Sequence, residues 1–172
     1  MARSERGGDV ENGHVMRIWV DDDGCPRETL DLLLRAAKRR RIPVVRVANR
    51  SIRTYDSDLI SAVRVDSDFD AADRYIAEHV ASGDLVVTAD VPLAAEIVAR
   101  GAFGLSPRGD EFNPDNAGAK LALRDLMHDL RAAGAVQGGP PSPGPADRRR
   151  FSDTLDRLLT RLTARPGATT VP

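Results

Sequence analysis

The stretch MRIWVDDDGCPRETLDLLLRAAKRR, residues 16–40, decides the fold. An apolar run of strand length ends on Asp21, Asp22 and Asp23, and Pro26 then opens a helical pattern. Leu30, Leu33, Leu34 and Ala37 fall at i, i+3, i+4 and i+7, so one helix face is apolar. A strand feeding a helix through a charged turn is the first half of a βα unit. The same alternation continues downstream. PVVRVA (43–48), SAVRVD (61–66), DLVVTA (84–89) and AFGLS (102–106) read as strands, and DAADRYIAEHVA (70–81) and PLAAEIVARG (92–101) as helices. This predicts the α/β class: a three-layer sandwich around a mainly parallel sheet of about five strands.

The flanks set the domain limits. Residues 1–15 are polar, Gly-containing and aperiodic, which predicts a disordered extension or a start codon set too early, since Met16 opens the first strand. The α/β domain then runs over 16–133 and includes a helix at 117–132 with Leu123, Leu126, Met127 and Leu130 as its stripe. A Gly/Pro linker, GAVQGGPPSPGPA, occupies 134–146. Residues 147–164 form an amphipathic C-terminal helix through Phe151, Leu155, Leu158, Leu159 and Leu162, and 165–172 read as a frayed tail. That helix is expected to dock on the domain or on a second copy of the chain as a homodimer.

Composition narrows the partners only a little. In 172 residues, 25 basic side chains face 26 acidic ones for a net charge of -1, so whole-chain charge favours no polyanion. Cys25 is the only cysteine, which excludes an intrachain disulfide, and no apolar run is long enough to span a membrane. A cytoplasmic location is expected.

In a parallel α/β sheet, ligands bind at the edge where the strands' carboxyl ends emerge. Asp21, Asp22 and Asp23 follow the first strand, residues 49–53 the second, 66–73 the third, Asp90 the fourth and 106–110 the fifth. Any single Asp before a helix can be an N-cap, but capping does not explain three in a row. Asp73 is the sharpest signal, because it shares the helical face of Ile76, Ala77 and Val80. A carboxylate at the end of an apolar stripe needs a proton, a cation or a guanidinium. A structural ion pair with Arg53 or Arg108 is the competing explanation. Asp21, Asp23, Asp73 and Asp90 otherwise form an all-oxygen donor set suited to Mg²⁺ or Mn²⁺, with Arg53 and Arg108 placed to grip phosphate.

Other motifs fail on spacing. Aligning Gly24 with an EF-hand glycine puts Trp19 and Leu30 at ligand positions, and Asp31 stands where a Cys-x5-Arg phosphatase loop needs Arg. Cys25 lies near a helix N-terminus, a position that lowers a thiol pKa. His14, His79 and His128 lie away from the acidic edge.

Taken in order, IWVDDDGCP, VANRSIR, VDSDFDAADRYI, GDLVVTADVPLAAEIVARGA, LSPRGDEF and GGPP resemble the YaiI/YqxD family of uncharacterised bacterial proteins, from about Met16 to Leu159. That pattern is in turn similar to PIN-like nucleases. The resemblance implies Mg²⁺- or Mn²⁺-dependent cleavage of RNA or another phosphodiester. By position it makes Asp21, Asp73 and Asp90 both metal ligands and catalytic residues, with Asp23 as an accessory ligand. It also implies an acid in an earlier helix, where Glu28 and Asp31 match poorly. Two other classes compete: a receiver-like phosphoacceptor domain with Asp90 as the acceptor, and a non-catalytic domain whose acidic edge binds an ion or a partner. A haloacid-dehalogenase-like phosphatase, suggested by Asp21-x-Asp23-Gly24, lacks its lysine and its second acidic pair in register.

Overall fold

The computed structural model describes residues 13–53 and 57–164. The expected extension over 1–15 and tail over 165–172 lie almost entirely outside those residues. Strand β1 (Ile18–Asp21) is followed by a single 3-10 turn (Asp22–Gly24) and helix α1 (Arg27–Arg40). Then come β2 (Val44–Ala48), β3 (Ile60–Arg64), α2 (Ala71–His79), β4 (Leu85–Val87), α3 (Val91–Ala99) and β5 (Phe103–Leu105). A short β6 (Glu111–Phe112), α4 (Ala117–Ala132) and α5 (Pro145–Thr163) complete the described residues.

The sheet has six strands in the order β3-β2-β1-β4-β5-β6. The first five are parallel, as the alternation predicts, and β6 pairs antiparallel with β5. β6 is the strand that pattern reading misses, since two residues carry no period.

Side-chain parity divides the core. Ile18 and Val20, in register with Val44, Leu85 and Val87, face α1 and α5. Trp19, in register with Val45 and Val86, faces the opposite layer of α2, α3 and α4. Helix α5 therefore docks on its own domain: Phe151, Leu155, Leu158, Leu159 and Leu162 are all buried among sheet and α1 residues. The β5–β6 turn is fastened to the same helix, with Thr154 donating to the Gly109 carbonyl at 3.1 Å. Gly109 has φ +86°, and a Cβ there would come within 2.6 Å of the Arg150–Phe151 backbone, so glycine alone lets the turn approach so closely.

Helix α4 is different. It buries only Ala117, and Leu123 and Leu126 remain exposed.

Candidate active site

The strand order reverses direction of winding between β1 and β4, and that switch point is where a crevice opens at the carboxyl edge. Parity then assigns the aspartates. Asp21 follows Trp19 by two residues, so it points to the α2/α3 layer. Asp22 goes to the α1 side, where Arg46, in register with Val20, is waiting.

Asp22 is 2% exposed and accepts from Arg46 Nε at 2.6 Å and from Arg50 at 3.0 Å. It is the anchor of the turn. Asp23 accepts from the Asn49 backbone N–H at 2.9 Å and from Arg50 Nε at 3.1 Å, which ties the β2 loop to the β1 turn. Both of its oxygens are thus engaged, and its charge is answered by Arg50. Three adjacent aspartates therefore do three different jobs, and of the three only Asp21 has no ion pair among the described residues.

Asp21 Oδ2 accepts from the Thr88 hydroxyl at 3.1 Å, and Thr88 Oγ1 accepts from the Asp90 N–H at 3.0 Å. Asp90 caps α3, one of its oxygens accepting from the Leu93 N–H at 2.8 Å. Asp73 enters from the first turn of α2. Together with Asp23 these three line one cleft of about 480 Å³.

Their mutual electrostatics are strong. Burial, then the charges of Asp90, Asp21 and Asp70, push the Asp73 carboxyl up to about 7. Burial also raises Asp21, against the lowering effect of the Thr88 hydroxyl, and Asp23, Asp90 and Asp22 add to the rise. Among the described residues no guanidinium or ammonium pairs with Asp73. Arg108 is held instead by Asp147, at 3.2 Å, and by the Pro141 carbonyl, so it fastens the β5–β6 turn to α5 rather than serving the crevice. Glu28 pairs with Arg148 at 2.7 Å, also on the α5 side. The Cys25 thiol runs opposite to the helix-terminus expectation: burial, Asp22 and Asp21 outweigh the Arg46 guanidinium and raise it to about 12, which makes it a poor nucleophile.

The donor chemistry at Asp21, Asp73 and Asp90 suits a hard divalent cation. Among the described residues no three His, Cys, Asp or Glu side chains are already drawn together as a ligating group. This is compatible with Mg²⁺, which keeps several waters and takes only one or two carboxylates.

The raised Asp73 carboxyl has a consequence for stability. A pKa above the unfolded value means that the folded state binds the proton more tightly, so stability is greatest below the unfolded carboxylate range and falls as pH rises toward 7. Asp73→Asn removes that loss. With allowance for solvent screening at this half-exposed site, the variant should exceed the parent by on the order of 1 kcal/mol at pH 8, and by little at pH 4. Urea unfolding at the two pH values measures this.

Pattern reading missed Arg46, and it missed that Arg50 holds Asp23 and that the Thr88 hydroxyl holds Asp21. Arg46 had a signal, since an Arg inside the apolar strand VVRVA must meet an anion. Thr88 had none beyond its place two residues before Asp90.

A doubly wound α/β domain with an acidic crevice at its switch point is the class that these features define. The chain belongs to the YaiI/YqxD family, an uncharacterised family whose model matches residues 19–161. It is 52% identical over 147 residues to a UPF0178 protein of Trichlorobacter lovleyi, covering 86% of this chain and 96% of that one. A UPF0178 protein of Geobacter metallireducens is 50% identical over 147 residues, covering 86% and 95%. One of Shewanella amazonensis is 49% identical over 147 residues, covering 86% and 99%. No solved structure matches the chain. Among the described residues no helix is long and apolar enough to cross a membrane.

Proposed function

We propose that this chain is a divalent-metal-dependent phosphodiester hydrolase of PIN-like character, acting on RNA or a related phosphodiester. One observation carries the reading: Asp21, Asp73 and Asp90, from three separate elements, crowd one crevice, and Asp73 has no basic partner among the described residues. Like charges collected without a counter-charge are costly, and a divalent ion relieves that cost. When bound, Mg²⁺ or Mn²⁺ supplies an activated water and neutralises charge on the phosphate oxygens.

The chain's own groups do the rest. Thr88 orients Asp21, and the α3 terminus fixes Asp90. Asp73 holds a proton near neutral pH until a cation takes its place. Arg50 and Arg53 line the neighbouring cleft and offer guanidinium groups to phosphate. The receiver-like alternative is disfavoured by topology, since that fold runs 2-1-3-4-5 and this sheet runs β3-β2-β1-β4-β5-β6.

The test is hydrolysis of a generic diester and of labelled RNA with Mn²⁺, comparing the parent with Asp21→Asn, Asp73→Asn and Asp90→Asn. Arg108→Ala should turn over as the parent does. Stable labelling of Asp90 by acetyl phosphate would favour the receiver instead.

A further inference from the structure

Three clefts adjoin one another, two at the carboxyl edge and the third running from it down between α2 and α3. The middle one is the acidic crevice. On one side, beyond the Asp22–Gly24 turn, a cleft of about 360 Å³ is lined by Arg27, Arg46, Arg50 and Arg53. Arg50 is the hinge between the two, since its guanidinium reaches both Asp22 and Asp23. Asp22 answers Arg46 and Arg50, but among the described residues no carboxylate pairs with Arg27 or Arg53. On the other side a groove of about 380 Å³ runs between α2 and α3 and shares Phe69, Asp73 and Asp90 with the crevice.

Phe69 stands on the rim common to the last two, 88% exposed. The ring contributes nothing to either core cluster. Its backbone is nevertheless pinned, with Arg74 donating to its carbonyl at 3.1 Å and the Ala71 N–H closing a turn onto Asp68 at 3.2 Å. Carboxylates at 66, 68 and 70 surround it, so it is not part of an apolar patch wide enough for a protein partner. A single planar ring is sufficient for one ligand class, an unpaired nucleobase, because stacking needs one face and no surrounding area. The same carboxylates repel a phosphate from the ring, and the guanidinium groups beyond the turn attract one.

We infer that Phe69 is a base-stacking residue, and that it and the Arg27/Arg53 cleft are two subsites for one unpaired polynucleotide strand crossing the acidic crevice. The inference rests on the phosphodiester reading for its substrate class, but not on catalysis. The strand continues past the crevice on both sides, so cleavage falls within a chain rather than at its end.

Fluorescence anisotropy with a labelled 12-nucleotide single strand, as RNA and as DNA, in EDTA so that no turnover occurs, tests the inference. Phe69→Ala should weaken binding roughly 5- to 100-fold, with Phe69→Trp restoring it. An abasic strand should be bound equally by parent and Phe69→Ala. Arg27→Ala with Arg53→Ala should lower affinity for intact and abasic strands alike and flatten the salt dependence. Since Phe69 is exposed, its truncation leaves folding intact. Preference between the RNA and DNA arms reports recognition of the 2′-hydroxyl. Failure of the parent to bind either strand, or a Phe69→Ala affinity equal to the parent's, overturns the inference. Phe69-dependent binding without cleavage in Mn²⁺ upholds it and sinks the hydrolase reading instead.

Discussion

Replacing Asp22 by Ala is expected to destabilise the protein by about 3–5 kcal/mol, the range for removing one member of a buried ion pair. Arg46 is 6% exposed, and without Asp22 its guanidinium loses the carboxylate that its Nε donates to at 2.6 Å, while keeping the Arg53 carbonyl. The loss is that of the carboxylate nearest a buried guanidinium, and it exceeds the net worth of the pair. Arg50, whose side chain is 57% exposed, can turn to water and adds little. The control is the double replacement Asp22→Leu with Arg46→Met. It removes both charges at similar volume and should recover most of the loss, as urea unfolding midpoints would show. Equal destabilisation by the single and double variants would mean that the turn needs the pair for its shape and not only for its charge balance. The effect also bears on the crevice, because the turn that Asp22 anchors is the one that holds Asp21 in place.

The second large effect concerns activity. Asp21→Asn and Asp73→Asn should each lower diester hydrolysis by roughly 10³-fold or more, the scale for removing a preorganised charge from a reacting centre. Asn keeps the shape of Asp, and at Asp90 it also keeps the α3 cap, so a loss in Asp90→Asn reports charge and not unfolding. The three losses should be far from additive if, as proposed, the groups act as one unit. A distinctive combination is expected at Asp73: the inactive variant is the more stable protein at pH 8. A residue kept only for structure would show the reverse. Asp23→Asn should cost less than the other three, because Arg50 and the Asn49 N–H already hold both its oxygens.

Much of this arrangement is legible in the sequence, for physical reasons that differ by residue. The strand–helix alternation fixes a parallel sheet, and the sheet fixes a single edge for every loop, which brings Asp21, Asp73 and Asp90 together without any coordinates. Parity could have gone further: Trp19 and Asp21 share a face, so Asp22 must turn toward Arg46. What the sequence does not carry is the choice among arginines. Arg53 and Arg108 sit in equivalent edge loops, but the β5–β6 hairpin folds Arg108 against Asp147 of α5, a contact between residues 39 apart. The docking of α5 on its own domain is equally hidden, since an apolar stripe does not name the surface that it covers. The exposure of Phe69 is not legible either, because one aromatic among aspartates has no period.

The most direct measurement is a calorimetric titration of the parent with Mn²⁺ near pH 7, repeated in buffers of different ionisation enthalpy. Saturable binding is expected, with a buffer-dependent heat, because a cation entering the crevice displaces the proton that Asp73 holds near neutrality. Asp73→Asn should lose the proton release and most of the affinity, and Asp21→Asn most of the affinity. Binding that is absent in the parent, or unchanged in heat and affinity by either substitution, would contradict the claim that these side chains form one cation site.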